Sequence, residues 1–201
     1  MDGKYFRKPT SAERSEGRIP PGQHLANGFP VLTYGDVPAV STDTWQLRLW
    51  GEIEGEEYIL SWTDLMAMPQ VNFTADFHCV TRWSKLDVRW TGVRLIDICD
   101  RVVRLPTARF VMQHCYGGYT TNVPVEDFLR SENYLVHSLN DAPLPRAHGG
   151  PARTLVPHLY AWKSAKWICG FEFLPTDSSG FWERNGYHRR GDPWAEERFS
   201  D

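Results

Sequence analysis

Paired cysteines are missing from this sequence: the four, at 79, 99, 115 and 169, lie far apart with no CxxC spacing. That sets aside a zinc ribbon and a dithiol redox motif. No apolar run is long enough to span a bilayer, and residues 1–21 are polar, with neither an apolar signal core nor a twin-arginine signal. With disulfides disfavoured inside cells, the expectation is a cytoplasmic protein. An excess of one charge is lacking too. The formal net charge is −3, the pI is near 6.2 and no basic run is interleaved with aromatics, so nucleic acid is not an expected partner. Also absent are a glycine-rich dinucleotide fingerprint, a haem-binding stretch, a ferredoxin cysteine set, any repeat and any long helix.

What is there suffices for a packed core: 201 residues, 41% hydrophobic and 13% aromatic. Alternation predicts strands at Trp45 to Leu49, Tyr58 to Leu60, Val71 to Cys79, Arg109 to His114, Tyr134 to Leu139 and Trp167 to Leu174. Ser61 with Asp64 reads as a capping box opening a short helix that Pro69 stops. A helix with an apolar face is expected within Trp90 to Arg104, where Leu95, Ile98, Cys99 and Val102 keep helical spacing, and another opens at Pro124. Short helices among many modest strands predict an α+β domain with a mixed or antiparallel sheet core. Three regions follow: an extended Pro/Gly-rich arm over 1–22, a domain over 23–176, and a segment over 177–201 too aromatic for a disordered tail and expected to pack on the domain.

Chemistry centres on Phe77-His78-Cys79-Val80-Thr81-Arg82-Trp83-Ser84. Cys79 closes an alternation of apolar residues and so faces inward at a strand end. It is either a small buried hydrophobe or a thiolate ligand for a metal bearing an anionic organic group. Cys99 and Cys169 sit in core-like patterns, and Cys115 is undecided. The loop from Pro20 through Asn27, Pro30 and Val31 has fixed irregular shape and free backbone groups, or is an ordinary surface turn.

Three stretches in order, Cys79 with Trp90-Thr91-Gly92-Val93-Arg94-Leu95, His148-Gly149-Gly150-Pro151-Ala152-Arg153, and Trp162-Lys163-Ser164-Ala165-Lys166-Trp167, resemble the molybdenum-cofactor domain of the sulfite oxidase family. The likeness is to its small bacterial oxidoreductases. The resemblance implies a Mo-molybdopterin cofactor with Cys79 as the metal ligand. It implies main-chain contacts from Asn27, Pro30 and Val31, with His114, His148, Arg153, Ser164, Ala165 and Lys166 on the pterin side. An arginine fork and an ammonium suit the pterin phosphate, although solvated surface charges are the other reading of Arg153 and Lys166.

Arg82 and Trp90 are expected beside Cys79 on the substrate face. There the sequence departs from its relatives: sulfite oxidases follow the cysteine with Gly-Asn-Arg-Arg, whereas Val80-Thr81-Arg82-Trp83 leaves one cation. Thr81 stands where protein-sulfoxide reductases carry an acid, and His148 where some relatives have asparagine. The expected substrate is a small oxyanion or sulfoxide-like molecule, with electrons exchanged through a separate protein or small redox carrier. Two other readings stand: a zinc hydrolase using His78, Cys79, His114, Cys115 and His148, whose scattered spacing is unlike a zinc site, and a non-catalytic binding module built on nine tryptophans.

Overall fold

In the computed structural model, which describes residues 5–200, the chain runs β1 (Phe6–Arg7), α1 (Ser11–Ser15), β2 (His24–Ala26), β3 (Gln46–Gly51), β4 (Tyr58–Ser61) and α2 (Trp62–Ala67). It continues through β5 (Val71–Cys79), β6 (Trp83–Arg94), α3 (Leu95–Cys99), β7 (Phe110–Cys115), β8 (Thr120–Pro124) and α4 (Val125–Phe128). The last elements are β9 (Tyr134–Leu139), β10 (Ala142–Pro143), β11 (Arg153–Leu155), β12 (Ile168–Leu174) and α5 (Phe181–Arg184).

Two sheets result. In the first, β1-β2-β6-β9-β10 are neighbours, with β5 on β6 and β11 on β9; in the second the order is β4-β3-β12-β7-β8. Pairing is antiparallel except for β2 with β6 and β12 with β3. This is the α+β architecture with mixed, mainly antiparallel sheets that the sequence predicts.

Strand β5 shows why the alternation is trustworthy. Its partner β6 carries the extra residue of a bulge, opposite the step from Ala75 to Phe77, and Asp87 there has φ 56°. The irregularity falls on β6, so the side chains of β5 keep alternating and Phe77 and Cys79 share one buried face. Asp76 stitches the bulge together, accepting from the Asp87 amide (3.0 Å) and from Arg18 Nη2 (2.7 Å). Around this face gather Trp83, Trp90, Val136, Leu155, Tyr160 and Trp162 as one core cluster. The other sits on the second sheet and includes Leu47, Leu49, Val111, Phe128, Phe171 and Phe173.

The capping box of α2 forms as its sequence dictates: Asp64 N–H donates to Ser61 Oγ (3.2 Å) and Ser61 N–H to Asp64 Oδ2 (3.1 Å). The helix expected within Trp90 to Arg104 forms over Leu95–Cys99, with Leu95, Ile98 and Cys99 buried. Trp90 to Arg94 before it belongs to β6, where Gly92 lets the backbone of β9 come so close that a Cβ there would lie 2.2 Å from the Leu135 carbonyl. One expectation needs correction. The arm over 1–22, of which residues 1–4 lie outside the described residues, is not simply extended: α1 forms with its own capping box from Thr10 and Glu13, and β1 pairs with β2.

Candidate active site

The end of β5 and the start of β6 form one side of a cavity of about 330 Å³, to which they contribute Phe77, Cys79 and Trp83. Cys79 is held by its backbone. Its carbonyl accepts from Gln23 Nε2 (3.0 Å) and from the Arg82 amide (3.1 Å), closing the turn into β6. Its Sγ lies 3.1 Å from Thr81 Oγ1. Burial pushes the thiol's pKa up, against the downward pull of Thr81, Lys166 and Arg198.

Opposite in chemistry are Arg153 and Lys166. Arg153 is 2% exposed, and its guanidinium donates to the carbonyls of Thr154 (3.3 Å), His148 (3.0 Å) and Ser164 (2.7 Å). Of five N–H donors, two remain uncommitted in these bonds. Lys166 Nζ donates to the carbonyls of Leu32 (2.8 Å) and Ala147 (2.8 Å) and to Thr33 Oγ1 (3.3 Å). Among the described residues neither cation has a carboxylate partner. The Gly149-Gly150 pair makes their approach possible. Gly149 has φ 110°, and a Cβ on it would lie 3.0 Å from Lys166 Cβ and 3.1 Å from Arg153 Cβ.

Two desolvated cations without an anion raise each other's cost of charge. Burial first, and then Arg153, lowers the pKa of Lys166 to about 7; burial lowers that of Arg153 to about 10. His148, its ring 4.7 Å from that of Phe29 and tilted 36° to it, has its pKa lowered to about 4 by burial and by both cations, so it is neutral at pH 7. A phosphate would supply the missing negative charge. The donor set therefore fits a molybdopterin: a soft thiol on one wall, and a fork, an ammonium and close-packed glycine backbone for an anionic end.

Pro30, Cys79, His148, Arg153, Ser164 and Lys166 all line this cavity. Six other expected residues do not. Asn27 gives its amide to the Tyr5 carbonyl (3.0 Å), and Val31 is 46% exposed. The Ala165 amide donates to Thr154 Oγ1 (2.7 Å), which removes it as a free donor. His114 lies on β7, with Nε2 2.9 Å from Glu172 Oε2 and its ring 4.9 Å from Trp50. Trp90 is a core residue, 2% exposed, packed on Phe29 and Phe77. Arg82 sits in the turn with φ 69° and is exposed; its Nη1 would lie 2.9 Å from a Cβ on Gly22.

The zinc reading loses its ligands as well: among the described residues no group of three or more His, Cys, Asp or Glu is placed to hold a metal ion. His78 Nδ1 lies 2.8 Å from Ser84 Oγ, and Cys115 belongs to the other core cluster.

Sequence reasoning missed the aromatic part of the lining. Phe29, Tyr34, Trp162, Trp182 and Tyr187 all face the cavity. The signal was the aromatic excess of 177–201, a segment expected to pack on the domain but given no part in the site. That segment is anchored by Glu183, whose Oε1 accepts from Lys163 Nζ (2.5 Å), Trp162 Nε1 (3.0 Å) and Thr121 Oγ1 (2.9 Å).

Comparisons with known proteins agree with this geometry. The family described as oxidoreductase molybdopterin binding domain matches residues 34–182. The chain is 45% identical over 197 residues to the uncharacterized oxidoreductase YuiH of Bacillus subtilis (strain 168), covering 98% of each. It is 25% identical over 179 residues to mitochondrial sulfite oxidase of Homo sapiens, covering 75% of this chain and 33% of that protein. Among solved structures, the sulfane dehydrogenase SoxCD from Paracoccus pantotrophus has a TM-score of 0.66 at 17% identity, over 79% of this chain and 46% of that one, a likeness of fold. The chain belongs to the oxidoreductase molybdopterin binding domain family, and is a molybdopterin oxidoreductase of sulfite oxidase type with Mo-molybdopterin as its cofactor.

Proposed function

We propose that Cys79 is the protein's ligand to molybdenum, and that the enzyme moves an oxygen atom or two electrons to or from a small substrate. The observation that carries this reading is the desolvated Arg153 and Lys166 pair, without a carboxylate, in the same cavity as a buried thiol. When bound, the cofactor supplies a two-electron centre coupled to oxygen transfer. The chain's residues do the rest. Arg153 and Lys166 hold the phosphate, neutral His148 and the Ser164 hydroxyl face the pterin, and Pro30 and Phe29 cover it. A metal-bound thiol is deprotonated outright, which answers the upward pressure of burial on Cys79.

Within this reading residues 23–176 carry the cofactor and 177–201 closes the cavity. Electrons pass to or from a separate protein or small carrier, since no second redox motif is legible in the sequence. The four free cysteines support a cytoplasmic setting; among the described residues no helix is long and apolar enough to cross a membrane.

Metal and pterin analysis of the purified protein tests the proposal, together with Cys79→Ser. Molybdenum with pterin is expected in the parent. The serine variant should fold, lose most turnover and change the molybdenum absorption, because a hydroxyl is a poor ligand for this centre. Zinc alone, no metal, or an unaltered spectrum in the variant would remove Cys79 from the ligand role.

A further inference from the structure

We infer that the substrate carries a flat, apolar arm that packs against an aromatic wall built by the C-terminal segment, and that the site prefers such a molecule to a bare oxyanion. The inference rests on the reading of Cys79 as metal ligand.

The cavity lining divides by chemistry. Its charged members are Arg153 and Lys166, both assigned to the cofactor, and Arg82 is not among them. A dianion therefore finds no unclaimed cation among the lining residues. The other part is ring surface. Trp182 and Tyr187 stack with centroids 4.9 Å apart at 20°, Tyr187 meets Trp162 edge-on at 5.1 Å, and Tyr34 closes on Trp182 at 5.9 Å. The polar tip of Trp162 is already committed to Glu183. What this wall offers a ligand is mainly ring carbon, beside the hydroxyls of Tyr34 and Tyr187 and the Trp182 N–H.

Two observations set that wall beside the reacting atom and leave it open to a guest. Cys79 and the rings line one cavity. Trp182 and Tyr187 are half-buried, and Tyr34 is 72% exposed, so apolar area remains to be covered. A phenyl group laid there gains from area removal and from offset or edge contacts between rings.

A sulfoxide serves as probe. Methyl phenyl sulfoxide with two electrons and two protons gives methyl phenyl sulfide and water: the S–O bond breaks, sulfur is reduced, and the oxygen leaves as water. Two equivalents of reduced methyl viologen supply the electrons and solvent the protons.

The experiment is calorimetric titration of the cofactor-loaded enzyme with methyl phenyl sulfoxide, dimethyl sulfoxide and sulfite, in the parent, Trp182→Ala and Tyr34→Ala. The aryl sulfoxide is expected to bind at least tenfold tighter than dimethyl sulfoxide, about 1.4 kcal/mol, and tighter than sulfite. Both variants should bring the ratio toward one. Should Trp182→Ala fail to fold, exposed Tyr34 keeps the test alive. Equal affinities, a ratio untouched by Tyr34→Ala, or sulfite binding tightest would overturn the inference. Turnover with viologen and the molybdenum spectrum of Cys79→Ser decide the other matter: binding as expected, with both unchanged in that variant, leaves the aromatic wall standing and sinks the ligand reading.

Discussion

Lys166 makes the electrostatics of the site measurable without a substrate. Its pKa in the folded chain is about 7 against an ordinary 10.5, so between these values the folded protein without cofactor binds fewer protons than the unfolded one. Stability then rises with pH across that window and is flat below it as far as this group is concerned. The melting temperature of cofactor-free protein should be higher at pH 9 than at pH 7, and Lys166→Met should abolish that difference. Bound phosphate restores a partner to the ammonium, so the loaded protein should lack the rise. Arg82 makes the opposite case. It stands three residues after Cys79, and sequence proximity suggests a catalytic cation; in the structure it is exposed in a left-handed turn. Glycine tolerates that conformation at no cost, so Arg82→Gly should leave cofactor content and turnover within about twofold. Loss of either would return Arg82 to the site. Residue type and motif order singled out Cys79, Arg153 and Lys166, which the fold brings to one cavity. They could not report where a turn aims its side chain.

Elements read differently. Strands were legible where one face is buried: in β5 alternation survives because the bulge falls on its partner, and in β12, which carries its own extra residue between Ile168 and Gly170, alternation is regular from Phe171 on. β8 and β11 were not, since Thr121, Asn122 and Thr154 are buried polar residues whose side chains pair with Glu183, Asp177 and Gln113 from remote parts of the chain. Lys163 is the extreme instance: read as part of a motif, it is fully buried and donates to Glu183 Oε1, to the Asn122 carbonyl (2.8 Å) and to Asn122 Oδ1 (3.0 Å). Burial lowers its pKa and Glu183 raises it again. Removing one partner leaves a charge in the interior, which costs about 3–5 kcal/mol, whereas replacing both by apolar residues of similar size is often near neutral. Glu183→Ala should thus lower stability by that amount in urea unfolding, and the double variant Lys163→Met/Glu183→Met should regain most of it. If the double variant is as unstable as the single, the loss comes from α5 packing and not from the stranded ammonium.

At the scale of the whole molecule, distant parts of the chain converge on Arg198, and nothing local in the sequence announces it. The side chain is 5% exposed. Its Nη1 donates to the Val80 carbonyl (2.7 Å), one residue past Cys79, and its Nη2 to the Pro21 carbonyl (3.3 Å) at the end of the N-terminal arm. The guanidinium also lies 4.9 Å over the ring of Tyr160. The arm, the Cys79 turn and the C-terminal segment are thereby fastened together, while Gln23, just past the arm, holds the Cys79 carbonyl. Charged hydrogen bonds of this kind contribute about 1.5–3 kcal/mol. Methionine keeps the apolar stem but not the donors, so Arg198→Met should lower stability by that range, increase proteolysis in 177–200, and release cofactor faster on dilution. Lysine restores the charge but not the two-carbonyl fork, and Arg198→Lys should recover only part of the loss. Unfolding midpoints and molybdenum retention measured on both variants check this. If retention falls in Arg198→Met while the unfolding midpoint and the protease pattern stay as in the parent, Arg198 acts on the Cys79 turn alone, and the fastening of the three parts is wrong.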